Sequence, residues 1–184
     1  MQRIALPLAD LCLLEPKVYG DARGFFLETW NRRALADLGI TADFVQENHS
    51  RSARGVLRGL HYQLPQAQGK LVRVLGGEIF DVVVDLRAAS PSFGRWHGLS
   101  LSAASPRMLW VPAGFAHGFM VLSEFADVLY AVTDYYTPQA EHTLAWNDPA
   151  LAIDWPLADA GVTAPLLSAK DTQGLPLDRA PAFP

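Results

Sequence analysis

The chain has 184 residues, about one domain's length, with hydrophobic residues at 50% and charged residues at 18%; it carries enough apolar material for a sizeable core and is neither disordered nor fibrous. Lys and Arg number 15 against 19 Asp and Glu, a net charge of -4, which opposes sequence-independent binding to a nucleic-acid backbone and confines any anion to a local cationic site. The single cysteine, Cys12, excludes an internal disulfide and any multi-cysteine metal cluster, and no run approaches the roughly 18 apolar residues that span a bilayer.

Residues 4–14 come nearest to a signal peptide, but Pro7 and Asp10 interrupt them and no small-residue cleavage site follows, so the chain reads as soluble and cytoplasmic. Glycines and prolines spread along the chain separate short apolar runs, the distribution of many short strands. Strands are expected at residues 11–18, 44–50, 56–63, 70–75, 78–86, 98–101, 107–111, 118–122 and 128–134, and their spacing favours a sandwich or barrel. One peripheral helix is expected over residues 32–38, with Asn31 as its N-cap and Gly39 just past its end. From Asp148 onward the alternation fades, which predicts an irregular C-terminal segment, residues 148–184, with one short helix, inside a single domain spanning residues 1–184.

In the segment Gly55-Val56-Leu57-Arg58-Gly59-Leu60-His61-Tyr62-Gln63, His61 and Gln63 lie two apart and so share a face of the strand, whereas a regular strand puts Arg58 on the other face. Downstream, Pro112-Ala113-Gly114-Phe115-Ala116-His117 is a turn leading a second histidine into a strand. The pair resembles the histidine motifs of the cupin jelly rolls, where they meet at an internal metal. Here Gln63 stands in place of the second histidine and Lys70 lies near where a carboxylate ligand is expected; an ammonium repels a metal ion and an amide is a poor substitute for imidazole. Lys70 enters an apolar strand, so either its stem packs with the head in solvent or its ammonium points inward as a fixed charge for an oxyanion.

A more specific likeness runs through the chain. Asp21-Ala22-Arg23-Gly24-Phe25-Phe26-Leu27-Glu28, Gln46-Glu47-Asn48, residues 55–63, Lys70-Leu71-Val72-Arg73, Asp85-Leu86-Arg87, Pro112 through Phe119, Tyr130, Asp134-Tyr135-Tyr136, Glu141, Trp146-Asn147-Asp148-Pro149 and Ser168-Ala169-Lys170-Asp171 follow in order. Over about residues 15–172 this resembles the dTDP-4-dehydrorhamnose 3,5-epimerases. The resemblance implies an all-β, cupin-type jelly-roll barrel with a few short peripheral helices, a homodimer, no cofactor and no metal, and a dTDP-linked 4-keto-6-deoxy sugar as substrate, with no nucleic-acid or membrane partner. It assigns the base to His61 in a dyad with Asp171, the opposing acid to Tyr130 and enolate stabilisation to Lys70. Arg23, Arg58 and Lys170 would meet phosphates or neighbouring oxygens. Glu28, Gln46, Glu47 and Asn48 would contact the nucleoside, with Phe26 as a stacking surface, and Gln63, His117 and Glu141 would complete the binding site.

The residue types suit that chemistry. Hydrogens on carbons 3 and 5 of a 4-keto sugar are acidic because the carbonyl receives the charge, so epimerisation needs a base, an oxyanion partner and a proton donor. An imidazole accepts a proton at neutral pH, a carboxylate fixes its tautomer, and a protonated phenol returns a proton to the opposite face. Read without the resemblance, Tyr130 equally suits a barrel core and Asp171 passes for a surface acid. Three competitors stand beside the double epimerase: an epimerase acting on one carbon only, a metal-dependent cupin, and a non-catalytic sugar-nucleotide binding module.

Overall fold

Alternation of apolar and polar residues sorts the strands into two sheets that share one interior. In the computed structural model, which describes residues 1–184, the strands are Gln2–Ala5 (β1), Cys12–Glu15 (β2), Val18–Asp21 (β3), Gly24–Leu27 (β4), Gln46–Ala53 (β5), Leu57–Gln63 (β6) and Lys70–Gly76 (β7). Glu78–Asp85 (β8), Trp96–Ser102 (β9), Met108–Val111 (β10), Phe115–Val121 (β11), Phe125–Val132 (β12) and Glu141–Thr143 (β13) follow, and one helix, Arg32–Asp37 (α1), precedes β5. A six-stranded sheet has the order β1-β2-β10-β7-β12-β5 and a five-stranded sheet the order β13-β6-β11-β8-β9. The strand pairs are antiparallel, and the architecture is the expected cupin-type jelly roll.

The interior is read from the pleat. Leu13, Val72, Val74, Leu109, Val111 and Val128 of the larger sheet pack against Ile79, Val83, Leu101, Phe115, Phe119 and Val121 of the smaller one. Their neighbours Cys12, Leu14, Leu71, Met108 and Trp110 face outward and are covered by α1 through Leu35. The outer face of the five-stranded sheet is covered too: Leu57, Leu60, Val82, Val84 and Met120 pack against Leu151, Trp155, Ala160 and Phe183 of the C-terminal segment. A sheet buried on both faces needs a nearly continuous apolar run, as in β8 and β11.

Several boundaries differ from expectation for local reasons. The strand expected over residues 11–18 divides at Pro16, which has no amide hydrogen for a ladder, into β2 and β3. Residues of the leader-like stretch form β1 and β2, paired from Gln2 with Glu15 to Ala5 with Cys12. Glu141, within the polar stretch 139–142, lies instead on β13 and covers the free edge of β6, pairing with Gln63; closing an edge outweighs weak strand propensity. The C-terminal segment contains no α-helix, only a 3-10 turn at Asp171–Gln173. The expected helix forms as Arg32–Asp37, with the Asn31 side chain accepting from the amides of Arg33 and Ala34. No helix is long and apolar enough to cross a membrane.

Candidate active site

A cavity of about 340 Å³ opens between the sheets. Strand parity decides which side chains enter it. Lys70 has the parity of Val72 and Val74, and Tyr130 that of Val128, so both project inward from the six-stranded sheet. His117 has the parity of Phe115 and Phe119 and projects inward from the facing sheet. His61 lies across the ladder from His117. Imidazole and phenol therefore stand on opposite walls of one cavity.

Regular alternation would separate Arg58 from His61, but both line the cavity. The β6–β11 ladder shifts register between the His61–His117 pair and the Arg58–Phe119 pair; one extra residue returns the chain to the same face, leaving Leu57 and Leu60 both outward. Gly59 permits this. Its φ is +122°, and a Cβ there would lie 2.6 Å from Gly118 Cα.

Asp171, 3% exposed, sits behind His61 with Oδ1 at 2.6 Å from Nε2. Burial alone would raise the Asp171 pKa, but hydrogen bonds from His61, Ser168 Oγ and the Gly59 amide outweigh it and hold the carboxyl at about 2. The ionised carboxylate accepts, so Nε2 of His61 carries hydrogen and Nδ1 keeps its lone pair. Burial depresses the His61 pKa; the Asp171 hydrogen bond opposes this, and the Lys170 and Lys70 charges add to the depression. The net direction is below 6.5, which leaves the imidazole neutral at pH 7.

Lys70 is inward, 8% exposed, and donates to the His61 carbonyl at 3.1 Å. Burial brings its pKa down to about 8, against the raising influence of Asp81 and Glu141, so it remains cationic at neutral pH. Burial raises the Tyr130 pKa above 10, with Arg58 lowering and Glu141 raising it in smaller measure, so the phenol keeps its proton. Asp81, fully buried, holds His117 through Nε2 at 3.0 and 2.9 Å from its two oxygens. At the rim Lys170 donates to Glu141 Oε1 at 2.7 Å and the Tyr136 hydroxyl to Oε2 at 3.0 Å. Arg58, Lys70 and Lys170 give the cavity three cations against the Glu141 carboxylate, a balance suited to an anionic ligand.

Besides Asp171 behind His61, four of the expected binding residues lie outside the cavity and one is engaged within the protein. Gln46 and Asn48 point inward from β5, but Glu47 between them faces solvent on the other side of the strand, as the period of two requires. Arg23, Phe26 and Glu28 belong to the β3–β4 hairpin and its exit. In the single chain Arg23 is held by Asp21 and Glu28 by Asn31. Gln63 lines the cavity, yet its amide donates to the carbonyls of Gln66 and Tyr135 and accepts from the Thr137 amide, which leaves little of it for a ligand.

No group of three or more His, Cys, Asp and Glu side chains is placed to hold a metal ion. His61 and His117 converge, but each directs a ring nitrogen to an aspartate, and Gln63 and Lys70 fill the remaining positions. Sequence reasoning did not single out Ser168, Gln68 or Asp81 for the site. An acid within the apolar run of β8 was the available sign for Asp81; Ser168 and Gln68 have no comparable signal.

The model of the dTDP-4-dehydrorhamnose 3,5-epimerase family matches residues 5–179. The chain belongs to the dTDP-4-dehydrorhamnose 3,5-epimerase family. It is 59% identical over 183 residues to the dTDP-4-dehydrorhamnose 3,5-epimerase of Pseudomonas aeruginosa, covering 99% of this chain and 98% of that one. The crystal structure of the epimerase from Legionella pneumophila in complex with dTDP-4-keto-L-rhamnose is 49% identical, with a TM-score of 0.93 over 100% of this chain and 98% of that one. A 3'-monoepimerase from Streptomyces bikiniensis, solved with dTDP-quinovose, is more distant at 32% identity and a TM-score of 0.86, with 94% of this chain and 86% of that one covered. Membership of this epimerase family sets aside the metal-dependent and non-catalytic readings.

Proposed function

We propose that the chain epimerises dTDP-4-dehydro-6-deoxy-D-glucose at carbons 3 and 5, giving dTDP-4-dehydro-L-rhamnose. The observation that carries the reading is the pairing of a neutral imidazole and a protonated phenol on facing walls, with a buried ammonium in the same cavity. Nδ1 of His61 removes the proton from the carbon beside the carbonyl, and the electron pair of that C–H bond moves into the carbonyl to form an enolate. Asp171 stabilises the imidazolium through Nε2–H. Lys70, itself 8% exposed, neutralises the developing oxyanion. Tyr130 then delivers its hydroxyl proton to the opposite face of the carbon, inverting it, and exchange with solvent restores phenol and imidazole.

The anionic nucleotide end is accounted for by Arg58 and Lys170, with Gln46, Asn48, His117 and Glu141 as hydrogen-bonding partners. Arg23, Phe26 and Glu28 act from a partner subunit. The β3–β4 hairpin supports this: it is a two-stranded sheet that leaves Phe25 72%, Phe26 69% and Tyr19 55% exposed, and such a hairpin needs another surface to bury its apolar side chains. A second copy of this chain supplies that surface in a homodimer. A dTDP-sugar substrate, with Cys12 as the one thiol, suits a cytoplasmic site of action and requires neither nucleic acid nor membrane.

Incubation with the 4-keto sugar nucleotide in deuterated water tests the function: deuterium should enter carbons 3 and 5 with inversion at both. Label at one carbon only would favour the single-carbon reading, which the likeness to the 3'-monoepimerase keeps in view, and no exchange would reject both.

A further inference from the structure

Residues 134–137 leave the β12 ladder and have no strand partner, yet their backbone groups must find hydrogen bonds. Three glutamine side chains supply them. Gln68 donates to the Asp134 carbonyl at 2.8 Å, and Gln63 donates to the Tyr135 carbonyl at 3.2 Å while accepting from the Thr137 amide at 2.8 Å. Gln46 accepts from the Tyr136 amide at 3.0 Å and donates to Asn48 at 2.8 Å. The glutamines come from β5, β6 and the β6–β7 connection, and Gln63, 3% exposed, brackets Tyr136 from both sides.

We propose that Gln63, assisted by Gln68, is a positioning residue that straps segment 134–137 across the cavity mouth and thereby sets affinity for the nucleotide end of the substrate. The chain of contact is short: the strapped backbone places Tyr136, the Tyr136 hydroxyl holds Glu141, and Glu141 holds Lys170. An amide suits this role because it donates and accepts at once. A carboxylate only accepts, and would face the Gln66 and Tyr135 carbonyls with its own lone pairs. A methionine fills the space with no hydrogen bond, leaving the Gln66 and Tyr135 carbonyls and the Thr137 amide without their side-chain partner. The catalytic groups His61, Lys70 and Tyr130 take no hydrogen bond from the strap, so its loss should weaken binding far more than the chemical step.

The proposal rests on the epimerase reading, and its test separates the two. In ligand-free protein, amide hydrogen exchange at Tyr136 and Thr137 should accelerate in Gln63→Met and Gln63→Glu. The dissociation constant for dTDP should rise about tenfold in Gln63→Met, the scale of one to two hydrogen bonds, while exchange of substrate protons at saturation changes by less than roughly threefold. Combined with Tyr136→Ala, the Gln63→Met loss of dTDP affinity should largely vanish, since the group being placed is gone. Unchanged amide protection, unchanged dTDP affinity, additive losses, or a fall in turnover matching the rise in KM would each overturn the strap. Accelerated amide exchange in a protein whose wild type neither binds dTDP nor exchanges substrate protons would instead reject the epimerase reading together with the affinity role. Should Gln63→Met fail to fold, Gln68→Met, on a half-buried side chain, decides alone by the same readouts with a smaller shift.

Discussion

In the proposed reaction His61 removes a proton and Tyr130 returns one, and their variants should separate the halves. His61→Asn removes the base paired with Asp171, and proton exchange at both carbons should fall by about 100 to 10,000-fold or more, while dTDP affinity, held by other residues, stays within about threefold. Tyr130→Phe keeps the ring and deletes the donor, so deuterium should still enter the substrate while net inversion falls; equal loss of both, measured by mass spectrometry and by product formation, would remove Tyr130 as the opposing acid. The pH profile follows from the same environments. His61 acts when neutral, and its pKa lies below 6.5, so the acid limb of activity should lie below that pH. Lys70 acts when charged and titrates at about 8, so activity should decline as pH rises through about 8. Lys70→Met should lower turnover by about 100 to 1,000-fold and abolish that alkaline limb.

Among the elements, β6 carries the greatest local demand. Its bulge at Gly59 turns Arg58 and His61 to one face, and Gly59 also donates its amide to Asp171. Gly59→Ala places a Cβ against the Gly118 backbone at a φ that alanine rarely adopts. The combined strain and clash should destabilise the fold by about 2–4 kcal/mol, seen as a lower denaturant midpoint, with activity falling further than stability because two site residues hang on the bulge. Gly161→Ala is the control: φ is +68° but nothing lies within 4 Å, so it should cost roughly 1 kcal/mol and leave turnover unaltered.

At the scale of the whole molecule, two arrangements carry predictions. Asp85, fully buried at the end of β8, accepts from Arg87, Ser90 and Ser92; burial would raise its pKa, but these hydrogen bonds outweigh it and hold it at about 2. Asp171 is held at the same value. A carboxyl depressed in the folded state stabilises above its unfolded value, near 3.8, and that contribution is lost as pH falls toward 2. The denaturant midpoint should therefore fall between about pH 4 and 2, and Asp85→Asn should flatten that part of the curve. The second is the proposed homodimer. Mixing inactive Arg23→Ala and His61→Ala under conditions that exchange subunits should restore activity, because a heterodimer with shared sites has one site carrying both lesions and one carrying neither. A mixture that stays inactive after exchange would confine each site to one subunit.

Much was written in the order of residues alone. The central strands and the helix capped by Asn31 follow from alternation and local propensity, whereas the sequence left the head of Lys70 open between solvent and interior, and the sheet pairing turned it inward. Motif likeness named His61, Asp171 and Tyr130 together. Tertiary structure decided what parity and propensity do not reach. The bulge at Gly59 exists because β6 passes close to Gly118, so Arg58 joins His61 against the regular alternation. Glu141 lies on a strand only because β6 offers an unpaired edge. Asp171, a surface acid by composition, becomes a buried carboxylate because His61, Ser168 and the Gly59 amide surround it from distant parts of the chain. Gln63, expected at the binding site, donates to the carbonyls of residues 66 and 135. Hydrogen-bond partners far apart in sequence meet only when the sheets close, and that closure assigns the polar side chains their work.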